Sequence, residues 1–89
     1  MTFNDLQFKP MFDGVQFKPL FDGVVARVEY PNGYGASIVR HSNSAGGTEG
    51  FYELAVLSSG AFTGTSYGWL TPDDVTTRLK EIAAMEGVR

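Results

Sequence analysis

A nine-residue unit occurs twice in immediate succession: residues 7–15 read QFKPMFDGV and residues 16–24 read QFKPLFDGV, differing only at Met11 and Leu20. Each copy carries Asp-Gly before its final valine, at Asp13-Gly14 and Asp22-Gly23. That dipeptide suits a two-residue hairpin turn, because both positions tolerate a positive φ. Seven strand residues and two turn residues make up the period, and a reversal at each Asp-Gly keeps the faces in phase. The register predicts Phe12 opposite Val15, Phe8 opposite Pro19, Phe21 opposite Val24 and Phe17 opposite Val28. One face then collects Leu6, Phe8, Phe12, Val15, Phe17, Phe21, Val24, Ala26, Val28 and Tyr30, the alternation of a half-buried antiparallel sheet.

The next reversal is Tyr30-Pro31-Asn32-Gly33-Tyr34. Proline fits the first central position of a turn and Gly33 a left-handed one. This register sets Val28 against Ala36 and Ala26 against Ile38, and the apolar face continues unbroken. Two residues resist the pattern. Proline has no N–H to give a ladder, which an edge strand tolerates at Pro10 but an interior strand does not at Pro19. Either copy of the repeat can therefore pair with residues 24–30, and Pro19 marks a bulge or a copy left over. A duplication with no functional role also accounts for the repeat.

Downstream, residues 42–50 (SNSAGGTEG) read as a polar, flexible glycine-rich loop, and 51–57 (FYELAVL) as a strand covered on both faces. Ser58-Ser59-Gly60 reads as a turn. Residues 61–70 read as weak β-structure interrupted by Gly64 and Gly68. A helix over about residues 72–85 is the clearest single element. Thr71 is a good N-cap, Pro72 fits the first helical position, and Asp73 and Asp74 suit the positive helix end. Val75, Leu79, Ile82 and Ala83 share a face, with Met85 nearby. Arg78, Lys80 and Glu81 read as solvated and Gly87 as the stop. The apolar stripe is expected to dock on the phenylalanine face of the sheet, helped by Trp69 and Leu70. The fold class is thus α+β: an antiparallel meander of about four to six strands packed on one C-terminal helix. The 89 residues form a single domain, with the tandem repeat at 7–24 inside it.

Composition narrows the function. There is no cysteine, so disulfides and thiolate metal sites are excluded. No apolar run approaches the length of a membrane span, and the first residues lack the basic and apolar regions of a signal peptide. A cytoplasmic protein is the expectation. A net charge of −3 does not draw nucleic acid to the whole molecule.

Specific chemistry is sparse. His41 is the only histidine. Ser37, Ser42 and Ser44 lie near it in sequence, but a triad also needs an orienting acid and an oxyanion hole. Asp13 and Asp22 are explained by turns, Asp73 and Asp74 by the helix start. The loop at Gly46 and Gly47 lacks the spacing of a phosphate loop. On the sheet face away from the phenylalanines, Lys9, Lys18 and Arg27 are expected to line up across three strands, flanked by Gln7 and Gln16. Arg40 and His41 lie near the same end. Such a row of like charges is costly, and an anion would offset it. Single-strand nucleic-acid binders place aromatics beside their basic groups, and here the phenylalanines point the other way.

The segments NGYGASIVRH, EGFYELAVL and LTPDDVT, within GVVARVEYPNGYGASIVRH, GGTEGFYELAVL and YGWLTPDDVTTRLKEIAAM, carry a resemblance. Residues 23–85 resemble small uncharacterised proteins encoded by tailed phages and prophages. The doubled QFKPxFDGV and the short segment 58–68 depart from that pattern. The resemblance implies a phage or prophage origin, hence the host cytoplasm, and transfers no site residues.

The expectation is a non-enzymatic protein-interaction module that needs no cofactor and acts on a protein partner of unknown identity. Tyr34, Arg40, His41 and Phe51, near the turns and loop, are its candidate contacts. One alternative is anion or nucleic-acid binding on Lys9, Lys18 and Arg27, with nucleic acid the less favoured. Another is self-association into a homo-oligomer through β-edges or exchanged repeat strands.

Overall fold

The computed structural model describes residues 1–12, 19–41, 44 and 46–86. Five strands form one antiparallel sheet in sequential order: β1 (Lys9–Phe12), β2 (Pro19–Glu29), β3 (Tyr34–Arg40), β4 (Tyr52–Ser58) and β5 (Ala61–Leu70). A single helix, α1 (Pro72–Ala83), covers one face, lying mainly over β3 and β4. The α+β meander closed by one C-terminal helix is therefore the observed architecture.

The turn at Tyr30–Tyr34 sets the expected register, with Val28 paired to Ala36 and Ala26 to Ile38. Gly33 takes a φ of 87° there. Asn32 has a role its turn position did not announce. Its side-chain amide donates to the carbonyls of Ile82 (2.9 Å) and Met85 (3.1 Å), tying the turn to the helix C-terminus. At the other end, Thr71 Oγ1 accepts from the Asp74 N–H and the Asp74 carboxylate accepts from the Thr71 N–H, a reciprocal cap.

The repeat folds differently from the expected pair of hairpins. Lys9 and Pro10 pair with Val25 and Val24, and Phe12 pairs with Pro19. Pro19 therefore faces Phe12, not Phe8, and Phe21 and Val24 lie along the same strand. Asp22-Gly23 is no turn but part of β2, inside an irregular stretch where two steps of β1 oppose five of β2. The reason is competition for one edge. The first copy follows Phe3 and Leu6, which together with its own Phe8 pack against the core and bring Lys9 and Pro10 beside Val25 and Val24 of β2. Pro19 then opens its strand, where a missing N–H does least harm. The Asp13-Gly14 turn, Val15, Phe17 and Lys18 lie outside the described residues.

The core centres on Ile38, Leu54, Val75 and Leu79, all fully buried, with Ala26, Ala36, Val56, Leu70 and Ile82 around them. Burial of each large apolar side chain contributes roughly 1.5–3 kcal/mol. Among the described residues, the helix docks over a surface opened by Ala26 and Ala36, with Phe3 and Phe8 packed at its margin. Phe8 joins Phe3 and Tyr52 in an aromatic group packed against this core, with ring centroids 5.0–5.5 Å apart. Ala83 is exposed, so the buried helix face is Val75, Leu79 and Ile82. Arg78 is half-buried rather than solvated, its guanidinium 3.9 Å from the Tyr67 ring centroid. Gly87 lies outside the described residues.

Residues 61–70 form a strand of ten residues, longer than their glycines suggested. Ser59 (φ 51°) and Gly60 (φ 82°) make the tight reversal from β4. Phe, Tyr, Trp and three Thr or Ser residues favour extended backbone. Two bulges absorb the excess length, one around Gly64 (φ 91°) and one around Trp69 (φ 56°).

Candidate functional site

The four residues expected to contact a partner do not form one surface. Tyr34 and Arg40 stand at opposite ends of β3, ~20 Å apart along the strand. Tyr34 is half-buried and lines a groove of about 290 Å³ between α1 and β5 with Tyr67, Arg78, Ile82 and Met85. Arg40 sits on the helix side of the sheet, 5.8 Å from the centroid of the Tyr52 ring. His41 ends β3 in a tight turn: its N–H donates to Ser44 Oγ (2.9 Å), and that hydroxyl donates to the His41 carbonyl (2.9 Å). Successive backbone bonds, Gly47 N–H to Ser44 O and Phe51 N–H to Gly46 O among them, pin the glycine-rich loop. Its described residues, 44 and 46–50, form a hydrogen-bonded corner where the sequence suggested a flexible connection.

Only Phe51 stands where a ligand can meet an aromatic surface. Its ring lies 5.7 Å from that of Trp69. Trp69 is 58% exposed, so it does not help dock the helix, a task left to the buried Leu70. The corner is shaped around this pair. A Cβ on Gly46 would come 2.8 Å from Phe51 Cβ and 3.0 Å from the Trp69 ring, and one on Gly47 would collide with the His41 carbonyl. A third aromatic, Phe62, is 60% exposed further along β5.

Trp69 is the residue that sequence reasoning misplaced. A bulky side chain in the left-handed region is strained by about 1–3 kcal/mol, and such strain gathers at binding sites. The strain here holds an indole out in solvent. A signal was present: residues 58–69 carry no charged side chain, yet contain Phe62, Tyr67 and Trp69. A stretch that polar and uncharged reads as neither core nor solvated face.

The cationic row is also rearranged. Lys9 lies opposite Val25, not Arg27, and Lys18 is outside the described residues. Gln7, Lys9, Val25 and Arg27 line one hollow on the face away from the helix. Arg27 is engaged there. Its Nη2 donates to the Gly60 carbonyl (2.8 Å) and lies 4.0 Å from Glu29 Oε1.

Among the described residues, no group of three His, Asp or Glu side chains is placed to hold a metal ion, and no helix is long and apolar enough to cross a membrane. No family model matches the chain, and no curated protein or solved structure does.

Proposed function

We propose that the protein is a non-enzymatic protein-interaction module that binds through the outer side of β5, with Trp69 as its anchor. The observation that carries this reading is the exposed indole held at a strained φ of 56° on an edge strand. Tryptophan is among the residues that dominate binding energy at interfaces. Among the described residues β5 pairs only with β4, so its other side offers N–H and C=O groups to an added strand. Phe51 and Phe62 extend the apolar contact. The resemblance to small phage and prophage proteins supplies the setting, an accessory protein working in the host cytoplasm.

Capture from host lysate tests it with three proteins: the natural chain, Trp69→Asn and Ser66→Lys. Asparagine relieves the strained backbone while removing the indole, and lysine burdens the edge with a charge. A protein retained by the natural chain is expected to be lost at least tenfold by both variants. Equal retention by all three, or none by any, defeats the reading. The same edge also fits a second copy of the chain. A concentration-dependent mass in light scattering, reduced by both substitutions, would make self-association the role of β5.

A further inference from the structure

We propose that the hollow between β1 and β2 binds a single carboxylate group. It measures about 300 Å³ and is lined by Gln7, Lys9, Val25 and Arg27. It lies at the sheet side opposite β5 and does not depend on how β5 is used.

The strand geometry builds the hollow. Gln7 and Lys9 are two residues apart, as are Val25 and Arg27, and Lys9 pairs with Val25. All four side chains therefore leave the same face of the sheet. Lys9 and Arg27 are diagonal neighbours across the ladder, close enough for long side chains to meet. Among the described residues, the lining is rich in donors, an ammonium, a guanidinium and an amide, with Val25 as an apolar floor and no carboxylate.

Arg27 is held rather than free. The Gly60 carbonyl tethers one of its terminal nitrogens, with Glu29 4.0 Å away, and the planar fork carries further N–H donors. Glu29 also sets the charge that can be accepted. Among the described residues, two cations and the neighbouring Glu29 leave one positive charge over, which matches a monoanion better than a phosphate dianion. The planar fork of arginine is suited to a carboxylate. Two sources carry that group, a free organic acid and an acidic peptide side chain.

The test is an NMR titration of the full chain, following the Gln7 side-chain amide and the Arg27 Nε–H. The probes are sodium acetate, an acetylated Val-Glu-Val amide, and sodium chloride at equal ionic strength. The expected result is saturable shifts with acetate at a Kd on the order of 1–10 mM, absent with chloride. Lys9→Gln is expected to weaken binding at least fivefold and Lys9→Arg to preserve it, with the Ile38 and Leu54 amides reporting an intact core. Tighter binding of the peptide than of acetate assigns the site to acidic peptides; equal binding assigns it to small acids. Chloride shifts equal to those of acetate, or unchanged binding in Lys9→Gln, would overturn the proposal.

Discussion

β1 and β5 border the same sheet, and their sequences manage an open edge in different ways. β1 is four residues long and contains Lys9 and Pro10. A charge, a missing N–H and shortness all discourage a further strand. β5 is ten residues long with no charge and no proline. It is protected only by bulges at Gly64 and Trp69, which bend the edge without repelling an incoming chain. A charged edge rejects almost any strand. A bulged edge rejects a flat one and still admits a partner whose shape follows the irregularity. If β5 receives a partner as proposed, the difference separates a side of the sheet discouraged by chemistry from one selective by shape.

The comparison breaks outright if the two sides do not share a core. Ile38, on the central strand and fully buried, lies between them. Ile38→Ala is expected to cost about 2–5 kcal/mol in urea unfolding, with amides of β2 and β5 lost in one transition. Separate transitions would show that each edge belongs to its own unit. Asn32→Ala comes next. It removes the amide that joins the β2–β3 turn to the helix end, and a loss of roughly 1–2 kcal/mol is expected from thermal unfolding. Unchanged stability would mean that water caps the helix equally well.

Two smaller effects sharpen the picture. Deleting residues 7–15 leaves QFKPLFDGV directly after Leu6, so the second copy can take the edge that the first now holds. Stability in urea is expected to change by less than about 1 kcal/mol. A larger loss would give the doubled unit a structural role of its own. The smallest effect concerns acid. Asp74 accepts from the Thr71 N–H, which holds its carboxyl below the ordinary value of 3.8, as does its contact with the Thr71 side chain. A depressed folded-state value stabilises the protein above pH 3.8, and the contribution fades as pH falls through the lower folded value. Asp74→Asn is expected to flatten that acid limb in a pH series of melting curves. An unaltered limb would mean that other carboxylates control it.

Where neighbouring residues in the chain decide a structure, the sequence was legible. Thr71-Pro72-Asp73-Asp74 specifies a helix start within four residues. Pro31, Asn32 and Gly33 specify a turn whose register the flanking alternation confirms. The repeat was not legible, because two nearly identical copies present the same local chemistry. What separates them is distant: Leu6, Phe3 and Phe8 reaching the core. Trp69 was misread for a similar reason. Its position beside Leu70 and the helix start suggested packing, but a bulge turns it outward, and bulges depend on how strand lengths match across the sheet. Arg27 and Lys9 share a face as the alternation required, while the slip of their register came from the same choice between copies. Phe51 was found and its neighbour was not.

Trp69 is the only tryptophan in the chain. Its indole is already largely in water when the protein is folded, so its emission will hardly register denaturation. Docking of a partner on β5 would dry that ring and move its emission to shorter wavelength. On the proposed use of β5, the molecule carries a built-in optical gauge that responds less to unfolding than a buried indole and reports complex formation, with no dye to attach.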